Sequence, residues 1–172
     1  MVTLYKTKED TAMKLILAAD HDWAIGKDGA LLADIPEDMK FFRETTQGAT
    51  VVMGRKTWDS LSRKPLPGRD NCVISRSVKE LEGAKVFASV EELLKYTDKA
   101  QGEVFVIGGA EVYKELLPHC DEAYITRIYE NFHGDVFFED IEHDKAWEIA
   151  GTSPVISSEC RNIRFFHYKR KK

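Results

Sequence analysis

Short runs of apolar residues alternate with amphipathic stretches over the first two thirds of the chain. Continuous apolar or β-branched runs, typical of buried strands, occupy residues 13–19, 49–54, 72–75, 85–88 and 103–109. Helical periodicity or helix-start signals appear between them, at residues 36–44, 55–61, 89–97 and 110–118. Strands that alternate with helices predict the α/β class, with a mostly parallel sheet covered by helices on both faces.

The last third of the chain has a different pattern. Strand-like segments follow one another without an obvious helix between them, at residues 122–129, 135–138 and 162–170. Such consecutive strands predict an antiparallel C-terminal edge on the sheet. Ligands of parallel sheets bind beyond the carboxyl ends of the strands, where we expect the loops after Ala19, Met53, Ser75 and Ile107 to meet.

One predicted helix places a carboxylate among aromatic side chains. Pro36 is suited to the first helical position, because its missing N–H would be unpaired there in any case. At 3.6 residues per turn, one face of this helix carries Asp38, Phe41, Phe42 and Thr45. An acid in the first turn is also favoured by the helix dipole alone, so the pattern leaves open a purely structural role for Asp38.

Two polar segments flank the first strand. Residues 1–12 are predicted to be an N-terminal extension, native or added, and residues 13–172 the folded domain. Residues 20–34 are predicted to form a long loop that leads into the helix carrying Asp38. Long loops in compact domains are often functional, so we expect a mobile lid here.

The composition excludes several classes of function. The chain has 172 residues and 43% hydrophobic content, which fits one domain with a sizeable core. Its net charge of −4 gives no general attraction to nucleic acid or anionic membranes. No apolar run approaches the roughly 18 residues that a membrane span needs, and the polar N-terminus does not fit a signal peptide. We therefore expect a cytoplasmic protein with no membrane or nucleic-acid partner.

No metal site is predicted. The histidines and cysteines lack the spacing of metal ligands, and the three cysteines are widely separated. We expect Cys72, Cys120 and Cys160 to be reduced packing residues.

Two strand-to-helix turns are suited to phosphate binding. In VIGGAEVY, Gly108 and Gly109 let backbone N–H groups approach an anion without a Cβ in the way, although such a turn can also require glycine for structural reasons alone. In VVMGRKTW, the segment from Gly54 to Thr57 adds two cations and a hydroxyl group at a helix start. Arg76, which follows another strand, could join them. Together these features indicate a ligand with several phosphates.

Two further residues have both a structural and a functional interpretation. Arg69 lies in the proline-rich turn PLPGR, where a fixed guanidinium is suited to bidentate binding of a carboxylate or to pairing with a local acid. Thr126 lies on one strand face with Tyr124 and Ile128, and its hydroxyl could equally bond to nearby backbone.

The ordered set of motifs resembles the dihydrofolate reductase family. AADHDWAIGKDG, IPEDMKFF, VVMGRKTW, PLPGR, VFVIGGAEVY, YITRI and GDVFF occur in the family's order and at its separations, over residues 13 to about 170. The resemblance implies an eight-stranded, mainly parallel sheet with flanking helices. It also implies reduction of 7,8-dihydrofolate to tetrahydrofolate by NADPH, with hydride transfer to C6 and protonation at N5 of the pterin, in one-carbon metabolism.

The resemblance also implies how the substrate is bound. Asp38 takes the place of the acid that pairs with N3–H and the 2-amino group of the pterin, and Thr126 would orient that carboxylate; these two are the expected catalytic residues. Arg69 takes the place of the arginine that binds the α-carboxylate of folate. The remaining expected substrate contacts are Ala18, Met39, Phe42, Leu61 and Ile107. Diaminopyrimidine antifolates are expected to pair with Asp38 as the pterin does.

The cofactor implied by the resemblance is NADPH. Arg55 and Arg76 would recognise its 2′-phosphate, and the two glycines of the Gly-Gly turn would meet the diphosphate. The full set of expected cofactor contacts is Ala19, Ile25, Gly54, Arg55, Lys56, Thr57, Ser75, Arg76, Gly108, Gly109, Ala110, Glu111, Val112 and Tyr113. Family members of this length are often monomers, so a monomer is expected.

Ala33 is the main departure from the family pattern. Many members have tryptophan at this position, near the substrate and a water molecule beside the acid, so its absence affects proton delivery and lid closure. Two alternatives stay open. One is the related pyrimidine reductase of riboflavin synthesis, which shares the fold and also uses NADPH. The other is a non-catalytic NADPH- or folate-binding module, which the missing tryptophan makes conceivable.

Overall fold

The computed structural model of the protein describes residues 12–172. Its strands are β1 Met13–Ala19, β2 Ala24–Gly26, β3 Thr50–Gly54, β4 Asp70–Ile74, β5 Lys85–Phe87, β6 Val104–Gly108, β7 Cys120–Ile128, β8 Val136–Phe137, β9 Trp147–Thr152, β10 Ile156–Ser158 and β11 Arg161–Arg170. Its helices are α1 Pro36–Thr46, α2 Arg55–Ser60, α3 Val90–Thr97 and α4 Ala110–Leu116, the last followed by a 3₁₀ turn at Leu117–His119. The predicted extension at residues 1–12 lies outside the described residues except for its last position.

The central sheet confirms the predicted α/β fold. Eight strands lie in the order β10-β11-β7-β1-β6-β3-β4-β5. The strands from β7 to β5 are parallel to their neighbours, whereas β11 runs antiparallel to β7 and β10 antiparallel to β11. The antiparallel C-terminal edge is therefore present, and a ninth strand, β9, also pairs with β11.

Three features of the strands differ from the sequence predictions. The loop at residues 20–34 contains β2, which pairs with β8 in a separate two-stranded sheet, so the predicted strand at 135–138 does not join the main sheet. Strands β9 and β10 were not predicted. After its first residue β9 is exposed, and β10 has three residues, so neither has the apolar alternation that marks a half-buried strand.

Helices cover both faces of the sheet, as expected. On one face, Leu15 and Leu17 of β1 pack with Leu93 of α3 and Leu116 of α4 in the largest core cluster. On the other face, Phe41 and Phe42 of α1 pack against Ile16, Ala49 and Phe105, and Trp58 of α2 packs against Val51, Met53 and Val73. Because successive side chains of a strand point to opposite faces, β1 contributes to both layers.

The cysteines are free thiols, but they do not all pack in the core. Cys72 and Cys120 are buried, as predicted, and burial raises the pKa of each thiol to about 12. Cys160 is exposed, so the packing prediction is wrong for it. It forms the turn between β10 and β11 together with Glu159, and both residues have positive φ angles. Within residues 12–172, no helix is long and apolar enough to cross a membrane.

Candidate active site

The carboxylate of Asp38 meets the hydroxyl of Thr126 at the centre of the site. Helix α1 begins at Pro36, which places Asp38 in its first turn, facing the sheet. Thr126 is 1% exposed and lies in β7, between Ala18 of β1 and Phe165 of β11. Its Oγ1 donates a hydrogen bond of 2.6 Å to Oδ1 of Asp38. Two residues 88 positions apart thus form one polar pair.

Burial changes the pKa of the Asp38 carboxyl group. Asp38 is partly buried, and its burial raises the pKa of the carboxyl group above the ordinary value, while the hydrogen bond from Thr126 acts in the opposite direction. Phe41 of the same helix lies against Phe165, with ring centroids 4.5 Å apart. The second carboxylate oxygen of Asp38 has no hydrogen-bond donor among the described residues. The site therefore presents a hydrogen-bond acceptor to a ligand from an apolar wall.

Apolar side chains continue along the same sheet face from this carboxylate. Phe42 packs against the cluster containing Ile16 and Phe105, and Leu61 packs against the neighbouring cluster around Trp58. Ile107 contacts both clusters and joins them. Ala18 belongs to a third cluster with Ile35, Ile128 and Ile163, and Met39 is 54% exposed. Except for Met39, the residues expected to contact the substrate therefore belong to apolar clusters on one sheet face.

Arg69 is fixed at the far end of α1. Its Nε donates to Oγ1 of Thr46 at 2.9 Å, and its terminal nitrogens donate to the carbonyl oxygens of Pro67 and Arg43 at 2.7 and 2.9 Å. A guanidinium has five N–H groups, so one remains on each terminal nitrogen. Burial and the charge of Arg43 both lower its pKa. The geometry therefore leaves two N–H groups of a fixed arginine for a carboxylate.

The two glycine turns meet at the carboxyl ends of neighbouring strands. Met53 of β3 is in register with Gly108 of β6. A Cβ added to Gly108 would lie 3.3 Å from Oγ1 of Thr57, and one added to Gly54 would lie 3.1 Å from Cγ2 of Val112. Gly108 also has a φ of +133°, which side chains rarely adopt. Glycine at positions 54 and 108 therefore keeps side chains out of the space between the two turns, which we call the cradle.

The expected phosphate-binding cations lie at the same edge of the sheet. Gly54 is in register with Ile74, so Arg55 and Ser75 directly follow two paired strand ends. Lys56 and Arg76 are exposed. Ser75 is buried, and its Oγ accepts hydrogen bonds from the amides of the turn that follows, so its hydroxyl mainly fixes the position of the next residue.

The helix after the Gly-Gly turn combines surface and core positions. Ala110 and Val112 are partly exposed and Glu111 is exposed. Tyr113 is buried, and its hydroxyl donates a hydrogen bond of 2.8 Å to the carbonyl oxygen of Ile16. Burial and the nearby charge of Asp38 both raise the pKa of Tyr113. The helix is therefore tied directly to β1, the strand that leads into the predicted lid at residues 20–34.

A comparison with protein families decides the identity of the fold. A family model described as dihydrofolate reductase matches residues 12–171. This chain belongs to the dihydrofolate reductase family. A dihydrofolate reductase of Neisseria meningitidis serogroup A is 40% identical over 157 residues, which cover 91% of this chain and 96% of that protein. One from Bacillus subtilis is 33% identical over 162 residues, with 92% and 95% covered.

A solved structure gives the same result. Dihydrofolate reductase from Enterococcus faecalis, described as a complex with NADP(H) and RAB-propyl, superposes with a TM-score of 0.86. The two chains are 38% identical, and the match covers 95% of this chain and 98% of the other. The expected dihydrofolate reductase fold is thus confirmed independently of the motifs.

Sequence reasoning missed the residues that anchor the loop at residues 20–34, the predicted lid of this dihydrofolate reductase fold. Asp20 is fully buried, and its carboxylate accepts hydrogen bonds from the amides of Asp22, Ala24 and Phe132 at 2.9, 2.9 and 3.0 Å. Arg127 donates to the carbonyl oxygens of Asp20 and His21 at 3.2 and 3.1 Å. The one available signal was a carboxylate directly after a buried strand.

The lid contacts the β7–β8 connection at a second point. The amide of Asp28 donates a hydrogen bond of 3.0 Å to Oδ2 of Asp135. Ala19 is buried at the start of the lid, and Ile25 packs against the main core. Ala33, at the position where many family members have tryptophan, packs against the cluster around Ile128. Both ends of this loop are therefore held, and its longest exposed run is residues 27–31.

Proposed function

We propose that this protein reduces 7,8-dihydrofolate to 5,6,7,8-tetrahydrofolate with NADPH, and that Asp38 holds the pterin. The observation that carries the proposal is the hydrogen-bonded pair of Asp38 and Thr126 on an apolar sheet face. A carboxylate in such a place is unfavourable unless it is paired, and Thr126 provides one donor where a carboxylate can accept several. The N3–H and 2-amino group of a pterin are two parallel donors that would complete the set.

The apolar side chains beyond Asp38 fit the rest of a folate. Phe42 and Leu61 would enclose the pterin and aminobenzoyl rings from opposite sides, with Ile107 between them. The two remaining N–H groups of Arg69 would bind the α-carboxylate of the glutamate. The chain thereby fixes the substrate at both ends, and this alignment is its main contribution to catalysis.

The strand ends fit a dinucleotide phosphate. Side chains would fill the cradle at Gly54 and Gly108, so the backbone can approach a diphosphate there. Lys56 and Thr57 would bind phosphate oxygens, and Arg55 with Arg76 would bind the 2′-phosphate. When bound there, NADPH would supply the hydride for C6 of the pterin, and the proton for N5 would come from solvent. The residues present therefore fit the cofactor that the family uses.

We also propose that residues 13–172 form the catalytic domain and that it acts as a cytoplasmic monomer without a metal ion. Diaminopyrimidine antifolates carry donors arranged like those of the pterin, so they would bind Asp38 in the same way.

The test is the loss of NADPH absorbance when dihydrofolate is added to the purified protein. Rapid oxidation that is faster with NADPH than with NADH supports the proposal. Binding of NADPH without oxidation would indicate a non-catalytic binding module. Turnover of the pyrimidine intermediate of riboflavin synthesis, and not of dihydrofolate, would identify the related reductase instead.

A further inference from the structure

Arg55, the residue expected to recognise the 2′-phosphate, forms an ion pair with Asp59. Nε of Arg55 donates to Oδ1 of Asp59 at 2.9 Å, one helical turn along α2. The Arg55 side chain is 34% exposed and the Asp59 side chain 55%, so both groups are reached by solvent. The terminal nitrogens of Arg55 have no hydrogen-bond partner within residues 12–172. The Asp59 carboxylate therefore binds Nε of the guanidinium, and the two terminal nitrogens of Arg55 remain available to a ligand.

The order of this pair argues against a role in stabilising the helix. Arg55 is the first residue of α2, where the helix dipole disfavours a cation, and Asp59 lies near its end, where the dipole disfavours an anion. Pairs with the acid first, such as Glu91 and Lys95 in α3, have the favourable order. An exposed pair in the unfavourable order contributes little to folding, so its effect is best sought in ligand binding.

We propose that Asp59 tunes the cofactor preference of this enzyme by repelling the 2′-phosphate of NADPH when that phosphate binds the terminal nitrogens of Arg55. This inference rests on the proposed function, because it takes Arg55 as a phosphate-binding residue. A phosphate bound to the terminal nitrogens of Arg55 would lie within roughly 6 Å of the Asp59 carboxylate, given ordinary hydrogen-bond lengths. At that distance in a solvated site, repulsion between the two anions weakens binding several-fold. NADH has no such phosphate, so Asp59 opposes NADPH selectively.

The variant Asp59→Asn isolates the charge. Asparagine keeps an oxygen that can accept the hydrogen bond from Nε of Arg55, so the position of the arginine is retained while the negative charge is lost. We expect the Kd for NADPH to fall about threefold to tenfold at low salt, and the Kd for NADH to change less than about twofold. The gain should shrink in about 0.5 M salt, because screening weakens the repulsion that was removed.

The experiment measures binding of each dinucleotide by fluorescence titration, with Glu91→Gln as the matched control. That control removes the acid of an exposed ion pair on a helix outside the site, so it should leave both Kd values unchanged. A second arm repeats Asp59→Asn in an Arg55→Gln background, where the gain for NADPH should disappear because the two residues act through one contact.

The outcomes separate this inference from the proposed function. An unchanged or weaker affinity for NADPH in Asp59→Asn, in a protein that still prefers NADPH to NADH, overturns the proposed repulsion and leaves the proposed function intact. A parent protein that binds both dinucleotides equally overturns the assignment of the phosphate site and the inference with it. A gain that persists in the Arg55→Gln background also overturns it, because Asp59 would then act without Arg55.

Discussion

Replacing Asp38 by asparagine changes one charge at the centre of the site and little else. Asparagine has nearly the same shape, and its side-chain oxygen can still accept the hydrogen bond that Thr126 donates at 2.6 Å to Oδ1 of Asp38. The helix start at Pro36 is unaffected, so the variant should fold. Its amide group would, however, present two hydrogens to the donors of the pterin.

The expected loss of activity follows from that mismatch. Removing the charge from a partly buried, hydrogen-bonded pair typically costs about 2–5 kcal/mol of binding. If the loss is expressed fully in the transition state, kcat/KM should fall roughly 30-fold to 5,000-fold, at about 1.4 kcal/mol per factor of ten. The upper part of this range is expected, because the Asp38 carboxylate is partly buried, which limits its replacement as a partner by water.

The assay is steady-state oxidation of NADPH by dihydrofolate, together with direct titration of NADPH. The control is Glu37→Gln, which neutralises the neighbouring acid; its side chain bonds to Ser158 and not to Thr126. We expect the control to keep nearly full activity and both variants to bind NADPH normally. A kcat/KM for Asp38→Asn within about threefold of the parent would refute the role of Asp38 in holding the pterin.

Three further predictions concern stability and cofactor binding. Because burial raises the pKa of Asp38 above the ordinary value of 3.8, the folded state holds this proton more tightly than the unfolded state, and stability falls as pH rises through the raised pKa. The Tm of Asp38→Asn minus that of the parent should therefore increase as the pH rises from the ordinary to the raised pKa of Asp38. A Tm difference that does not change with pH would contradict this reasoning. Asp20→Ala leaves three amides without their acceptor and should lower the free energy of unfolding in urea by about 2–4 kcal/mol; a loss below about 1 kcal/mol would show that the lid anchor is unimportant. Gly108→Ala places a Cβ at a φ of +133° beside Thr57, which should cost roughly 1–3 kcal/mol of stability and weaken NADPH binding. An unchanged Kd for NADPH would show that the Gly-Gly turn does not contact the diphosphate.

Local patterns in the sequence were enough to predict the main elements. Pro36 marked the first residue of α1, and the apolar runs marked the parallel strands, because both signals depend on neighbouring residues. The same periodicity placed Asp38 on the apolar face of its helix. Short or exposed elements such as β2 and β9 lack such a pattern, and they exist through pairing with distant strands.

The polar contacts of the site depended on the tertiary structure. Nothing local to Asp38 indicates Thr126; the family resemblance suggested the pair, and the alignment of α1 over β7 produces it. In the sequence Asp20 resembles an ordinary loop acid. In the structure the amide of Phe132, 112 residues away, donates a hydrogen bond to its carboxylate. The sequence by itself determined which segments become strands and helices and which face of each is apolar. The tertiary structure decided which donor meets which acceptor, because hydrogen bonds need separations of about 3 Å that sequence periodicity does not specify.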